Sequence, residues 1–556
     1  MDRRRAFILL AVVVAGMGLA AGERISDLQW LAFLAAAGVV LLVAIWPRLP
    51  PETPVTARTT VELGTLFVAL FALAMVQLLR TQVVLSGAIS RRSGVDAASG
   101  DVLGNPRLAM GELRVRRGAI RDRTGAALAE SVPEPDGVTF RRVVPDLAAA
   151  EVVGYFSPLL YGTSALERAY DDERSGRAGP GEWRRARDGL LGLPRQGLDL
   201  RLSLDLGLQR LAHELLMGRP GGVVLLDART GAVLAMASAP GIDPNLLDTD
   251  AEAGRAAAEA AWAGYLADDL APLLLRPAQG AWPPGSTFTV ITAAAAIDQG
   301  VADPATVYED AGELVVNGRV IPENNRPDET RDAWTLTEAL GWSLNVVFAQ
   351  VGLQLGGDAL RRAAEAWGFG ADIPFDLPVT PSQVSADREF LDDPVAVAET
   401  AFGQGELLAT TLQMALVAAG IANGGTVMRP WLVKSMSRRD GPEVWRVEPS
   451  AWRRPVRPET AAAVAAMMEW AVTEGGILGG AVPGYRSGGK TGTAETGEGE
   501  PTHGWYIGFA GDGERMLAVG VTVERGGSGG ESAMPVGQRM LAEGIGQRVS
   551  GIGENG

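Results

Sequence analysis

Three apolar runs occupy the first eighty residues, at 6–21, 28–46 and 63–79. Each holds about 16 to 19 residues almost free of charge, close to the length that crosses a bilayer. The second and third read as membrane helices. The first fits either a third span or a signal peptide, given its arginine-rich start and the small residues Ala20-Ala21-Gly22. Arg3, Arg4 and Arg5 favour a cytoplasmic N-terminus, and Arg48 and Arg58, between the second and third runs, mark a second cytoplasmic face. The chain beyond Arg80 is then expected outside the cytoplasm, held at the cell membrane.

From about 81 to 200 the periodicity is weak. Arg117 through Gly125 alternates and then turns, as a strand closed by a tight turn does. Beyond residue 198 the pattern sharpens. An amphipathic helix is expected at 204–217, and a hairpin at 223–227 and 232–238 around Ala228-Arg229-Thr230-Gly231. Helical periodicity returns at 288–299, 335–355, 411–423 and 458–472. A second hairpin follows at 504–510 and 516–523, then a closing helix at 536–549, while Gly526 through Gly530 reads as a flexible loop. Strands at both ends with helices between them predict an α+β domain: one antiparallel sheet whose first and last strands come from distant sequence.

Composition narrows the class. At 556 residues, 47% of them hydrophobic, the chain has material for two or three domains. A net charge of −16 without a basic block beyond Arg3–Arg5 argues against nucleic acid as a partner. Cysteine is absent and the only histidines are His213 and His503, so no thiolate chemistry, metal or cofactor is expected. Arginine outnumbers lysine 48 to two. Where charge alone matters arginine serves, so a lysine in a patterned position stands out.

One of the two lysines lies in Gly488-Gly489-Lys490-Thr491-Gly492-Thr493-Ala494-Glu495. A run of small hydroxyl residues flanked by glycine reads as a strand bordering a cleft, where the backbone comes close to a ligand and Lys490 meets an anion. Upstream, Trp282-Pro283-Pro284-Gly285-Ser286-Thr287-Phe288-Thr289 puts a serine ahead of an alanine-rich helix. The helix dipole favours developing negative charge there, which suits a nucleophile and equally an N-cap. In Trp342-Ser343-Leu344-Asn345, 57 residues after Ser286, the i, i+2 spacing on a loop lets both side chains enter one cleft.

Serine, then Ser-x-Asn, then Lys-Thr-Gly resembles the active site of penicillin-binding proteins and serine β-lactamases. The resemblance spans about residues 80 to 549 and is close to the class B penicillin-binding proteins, the peptidoglycan D,D-transpeptidases. It implies a penicillin-binding transpeptidase fold over 201–550, a non-catalytic pedestal and dimerisation-like module over 86–200, and a membrane region over 1–85. The segment from Gly154 to Tyr170 resembles part of that pedestal. By the same resemblance Ser286 is the nucleophile, Ser343 relays a proton to the leaving group and Asn345 holds the substrate amide. Lys490 supplies positive potential, Thr491 and Thr493 bind the terminal carboxylate, and Gly492 clears space beside the acyl bond. The N–H groups of Ser286 and Thr493 form the oxyanion hole. Gly403-Gln404-Gly405-Glu406 through Met414 resembles the cleft floor, and His503 is expected to pack at a strand start.

One member of the family's set is missing. Thr289 stands where the family has its general-base lysine, and a threonine hydroxyl cannot take that proton. Lys434, on a strand far along the chain, offers no evident rescue, and a substitute relay from Lys490 through Ser343 has no support in the sequence itself. Two readings follow. The first is a transpeptidase acylated on Ser286 by D-Ala-D-Ala stem peptides or β-lactams. The second is a catalytically impaired pseudo-transpeptidase that binds stems or partners as a scaffold or sensor. A β-lactamase is disfavoured because no deacylating carboxylate is evident. About 120 residues ahead of the catalytic region leave no room for a glycosyltransferase domain, so glycan polymerisation calls for a polytopic membrane partner.

Overall fold

The computed structural model describes residues 3–85, 94–95, 102–103, 106–178, 195–247, 252–497 and 499–546. They divide into two units, Met1–Gly111 and Glu112–Gly556, which are taken separately.

In the first unit three helices, α1 (Arg3–Ala21), α2 (Asp27–Ile45) and α3 (Val55–Leu79), are long and apolar enough to cross a membrane. The absence of a side chain at Gly18 lets α1 close on Trp30 of α2. Trp30 donates through Nε1 to Gln77 at 2.6 Å, and Arg80 pairs with Asp27 at 3.2 Å while lying over the Trp30 ring. α3 begins eight residues before the apolar run at 63, directly after Pro54, so Arg58 belongs to a helical turn and not to the connecting loop. Proline fits the helix entrance because its missing N–H has no intrahelical acceptor there.

The second unit opens with short strands β1 (Ile120–Arg121), β2 (Ala127–Pro133) and β3 (Phe140–Val143), then the turn α4 (Ala150–Val153) and strand β4 (Asp199–Leu202). The turn after β1 is built by Asp122, whose Oδ1 accepts from the N–H groups of Thr124, Gly125 and Ala126. Helix α5 (Leu206–Leu216) follows, capped by Asp205, with the hairpin β5 (Gly221–Asp227) and β6 (Val233–Ala239) after it. Next come α6 (Thr289–Asp298), α7 (Leu336–Trp342), α8 (Asn345–Leu355) and α9 (Thr411–Ala422). Strands β7 (Val433–Ser437) and β8 (Glu443–Arg446), helix α10 (Pro458–Thr473), strands β9 (Arg486–Ala494), β10 (His503–Gly511) and β11 (Met516–Val523), and helix α11 (Met534–Gly546) complete it.

Five strands form an antiparallel sheet in the order β6-β5-β11-β10-β9. β11, near the end of the chain, thus pairs with β5 nearly 300 residues earlier, as one sheet closed by strands from distant sequence requires. β5, β10 and β11 are buried almost throughout, because α9 covers one face and α5 with α11 the other. β9 is the edge. A second sheet runs β8-β7-β4-β1-β2-β3, so β7 and β8 cross from the later sequence into the pedestal. Glu167 lies at the pedestal's centre with a side chain 1% exposed, held by Arg117 at 3.0 Å, Arg142 at 2.8 Å and Arg174 at 2.5 Å.

Two expectations change. The helical pattern at 335–355 is divided into α7 and α8 by Ser343, which turns left-handed with φ +67°. The glycine run at 526–530 is not loop throughout: Ser528 caps a helical turn, Gly529–Ser532. Gly529 packs so tightly on the Gly492 carbonyl and Trp505 backbone that a Cβ there would lie 2.2 Å from the Gly492 oxygen. The last three residues of the predicted helix at 536–549 lie outside the described residues.

Candidate active site

Ser286 sits in a tight turn, Gly285–Phe288, that leads into α6. The turn is drawn in by two glycines. Gly285 adopts φ +54°, and a Cβ on it would stand 2.8 Å from the Thr493 carbonyl oxygen. Gly403, at φ +93°, comes so near that a Cβ would lie 1.7 Å from the Gly285 oxygen. Gly403 therefore lies in direct contact with the serine turn. Ser286 does not cap the helix: the turn and α6 are both without a side-chain cap.

β9 supplies the opposite wall. As an edge strand it leaves part of its backbone unpaired on the outer rim, available to an extended ligand. A Cβ on Gly492 would meet the Pro284 oxygen at 2.7 Å and Thr287 Cγ2 at 3.1 Å, so glycine is what allows strand and serine turn to touch. Side chains two apart on a strand share a face. Lys490 thus rises from the same face of β9 that the serine turn covers. Thr491 and Thr493 alternate to the other face, where Thr493 is exposed and its Oγ1 accepts from Gly529 N–H at 3.3 Å.

The third wall is the break between α7 and α8. Lys490 Nζ donates to Ser343 Oγ at 2.8 Å and to the Thr491 carbonyl at 2.9 Å. Lys490 is 1% exposed, and burial alone pushes its pKa down to about 7. Asn345 is the first residue of α8 and lines a cavity of about 340 Å³ together with Arg319, Glu399, Gln404 and Glu495. The serine turn thus touches β9 at Gly492 and Thr493, and Lys490 of the same strand touches Ser343, two residues before Asn345.

Thr289 is buried and its Oγ1 donates to the Ser286 carbonyl at 2.6 Å, closing a turn of its own helix. Lys434 is not at the crevice. It lies on β7 of the pedestal sheet, and its pKa is lowered by burial and then by Arg446, Arg201 and Arg123. His503 is buried at the start of β10, where its Nδ1 accepts from Arg525 N–H at 3.1 Å and its ring stands edge-on to Trp282.

Residues outside the sequence motifs also shape the crevice. Asn325 Nδ2 donates to the Ser343 carbonyl at 2.9 Å, and Glu323 accepts from Val346 N–H and Asn325 N–H, each at 2.9 Å. Burial pushes the Glu323 carboxyl up, against the pull of those N–H groups. Glu323 thereby caps α8 from a segment 23 residues upstream. Nothing in Pro322-Glu323-Asn324-Asn325 marks this role in the sequence, since the hairpin that carries it, Glu313–Val316 with Arg319–Pro322, is a tertiary neighbour only.

Known proteins resemble the chain along most of its length. Residues 221–542 match the penicillin binding protein transpeptidase domain, and 117–200 match the penicillin binding protein A dimerisation domain. The peptidoglycan D,D-transpeptidase PbpA of Mycolicibacterium smegmatis is 36% identical over 79% of this chain and 91% of its own length. The peptidoglycan D,D-transpeptidase MrdA of Acinetobacter baumannii is 28% identical over 61% of this chain and 53% of its own. Among solved structures, penicillin-binding protein A from M. tuberculosis as a ceftriaxone acyl-enzyme superposes with a TM-score of 0.72 at 33% identity, over 77% of this chain and 98% of that one. With a catalytic-domain match over more than half its length, a dimerisation-domain match before it and relatives of this similarity, the chain belongs to the class B penicillin-binding protein transpeptidases.

Proposed function

We propose that the protein is a membrane-anchored acyltransferase of peptidoglycan synthesis, with D,D-transpeptidase chemistry on Ser286. In this reading Ser286 attacks the D-Ala-D-Ala bond of a stem peptide, the terminal D-alanine leaves, and the amine of a second stem takes the acyl group. The N–H groups of Ser286 and Thr493 bind the oxyanion, each worth roughly 3 kcal/mol. Thr491 and Thr493 hold the terminal carboxylate, Gly492 leaves room for the acyl bond, and Asn345 orients the substrate amide. The observation that carries the reading is the contact of serine turn and edge strand at Gly285–Thr493, with Lys490 joined to Ser343 beside it. β-Lactams are the expected inhibitors, and the acyl-enzyme complexes of penicillin-binding protein A with ceftriaxone and penicillin G support this.

From the arginine distribution around the three apolar helices we infer a cytoplasmic N-terminus and a catalytic region outside. The bilayer and a polytopic glycan polymerase are the partners this arrangement calls for. A second reading, a pseudo-transpeptidase acting as a scaffold or sensor, is favoured by one observation: the Thr289 hydroxyl is spent on the Ser286 carbonyl and leaves the family's base position empty.

Incubation with a fluorescent penicillin, followed by mass mapping, separates the two. We expect a stoichiometric adduct on Ser286, absent in Ser286→Ala and formed faster in Thr289→Lys. A wild-type protein that never labels, beside a Thr289→Lys variant that does, would establish the pseudo-transpeptidase.

A further inference from the structure

We propose that in this chain the proton of Ser286 is taken by Lys490 through Ser343, in place of the absent lysine at 289. The inference rests on the acylation chemistry proposed above and adds to it the identity of the base.

Three observations converge. First, the residue at the family's base position is committed elsewhere, because Thr289 Oγ1 donates into its own helix at 2.6 Å. Second, Lys490 occupies the face of β9 that the serine turn covers. Gly492, two residues along on that face, touches Pro284 and Thr287 on either side of Ser286. Lys490 lies about 7 Å back along the strand and its ammonium meets Ser343 Oγ at 2.8 Å. Third, Ser343 is fixed, and not merely adjacent. Its left-handed backbone is rare for a residue with a Cβ, and Asn325 Nδ2 holds its carbonyl at 2.9 Å. The Lys490–Ser343 pair supplies the second half of a two-step proton transfer, and the relay adds to it a hydrogen bond from Ser286 Oγ to Ser343 Oγ that tightens when substrate is bound.

The environment of the amine suits acceptance. Among the described residues no charged group shifts Nζ; its polar neighbours are Ser343 Oγ and the Thr491 carbonyl. Burial alone therefore determines its pKa, which falls to about 7, and a large fraction is the free amine near neutrality. That value matches the range in which a general base works best.

The step balances as follows. Ser286 Oγ bonds to the carbonyl carbon, and its proton passes to Ser343 Oγ as the Ser343 proton passes to Nζ. The tetrahedral intermediate collapses with cleavage of the C–N bond. The leaving nitrogen then takes a proton back from the Lys490 ammonium along the same path, and the base is regenerated.

The test is the rate of Ser286 acylation by a fluorescent penicillin, measured on the full chain in detergent from pH 5.5 to 9. We expect the rate to rise about tenfold per pH unit up to about 7 and then level off. Ser343→Ala is expected to slow acylation about 100- to 10,000-fold and to remove the inflection. Lys490→Arg, which keeps the charge but cannot release its proton, should behave alike. In Thr289→Lys the rate should increase, because the restored amine takes the Ser286 proton directly. An adduct that forms with a flat pH profile, or at an unchanged rate in Ser343→Ala, overturns the relay and leaves the acylation reading intact. No adduct in the wild type but one in Thr289→Lys also overturns the relay. No adduct in either overturns the acylation reading itself.

Discussion

Lys490 costs the fold something that Thr289 does not. A lysine buried without a carboxylate must either lose its proton or hold a charge in apolar surroundings. Its pKa falls from 10.5 in the open chain to about 7 in the fold. Between those values the unfolded chain binds a proton that the native state does not, so stability rises with pH from about 7 to about 10.5. Below 7 the penalty is present in full, and above 10.5 it is gone. We therefore expect Lys490→Met to raise the unfolding temperature most near pH 6, with the gain shrinking toward pH 10. Calorimetry of both proteins across that range checks it; a gain independent of pH would mean that the lysine is neutral throughout.

At the scale of elements, the break between α7 and α8 decides what the site can do. An unbroken helix over 335–355 would aim Ser343 and Asn345 about 200° apart around its axis. The left-handed turn at Ser343 redirects both. Such a turn costs of order 1–3 kcal/mol and persists only where neighbours hold it. Here the neighbours are Asn325 on the Ser343 carbonyl and Glu323 on the N-terminus of α8. Asn325→Ala removes one hydrogen bond of about 1 kcal/mol, so Ser286 acylation should slow about fivefold with little change in unfolding temperature. An unaffected acylation rate in that variant would show that the break is held without Asn325. The motif Ser-x-Asn was legible in the sequence; the hairpin segment that fixes it was not, because its contacts reach across some twenty residues that include all of α7.

At the scale of the molecule, the pedestal and the catalytic region are tied by shared structure. β7 and β8 belong by position to the catalytic half, yet they pair with β4 in the pedestal sheet. Glu151 of α4 accepts from His213 Nε2 at 2.7 Å and Gln209 Nε2 at 3.0 Å, both on α5, and from Ser238 N–H of β6 at 3.2 Å. Cutting the chain at residue 200, the boundary that the family resemblance implies, would strip β4 from β7 and expose an unpaired edge. A protein starting at residue 201 is thus expected to aggregate, whereas one starting at 112 should remain monodisperse. Size-exclusion chromatography of the two distinguishes them, and a monodisperse fragment from 201 would show that the catalytic region folds alone.

Local pattern by itself determined the three apolar helices long enough to cross a membrane, the main helices and hairpins of the catalytic region, and the three motif fragments, because periodicity and glycine–hydroxyl runs are properties of neighbouring residues. It also fixed that position 289 carries no amine. Tertiary structure alone decided which surfaces meet: that Gly285, Gly403 and Gly492 bring the serine turn, the floor and the edge strand together, and that Lys490 faces Ser343 and Lys434 does not. Burial has no signature along a chain, since it depends on segments hundreds of residues apart. For that reason the lowered pKa of Lys490, on which the proposed chemistry turns, emerges only once the fold has closed around it.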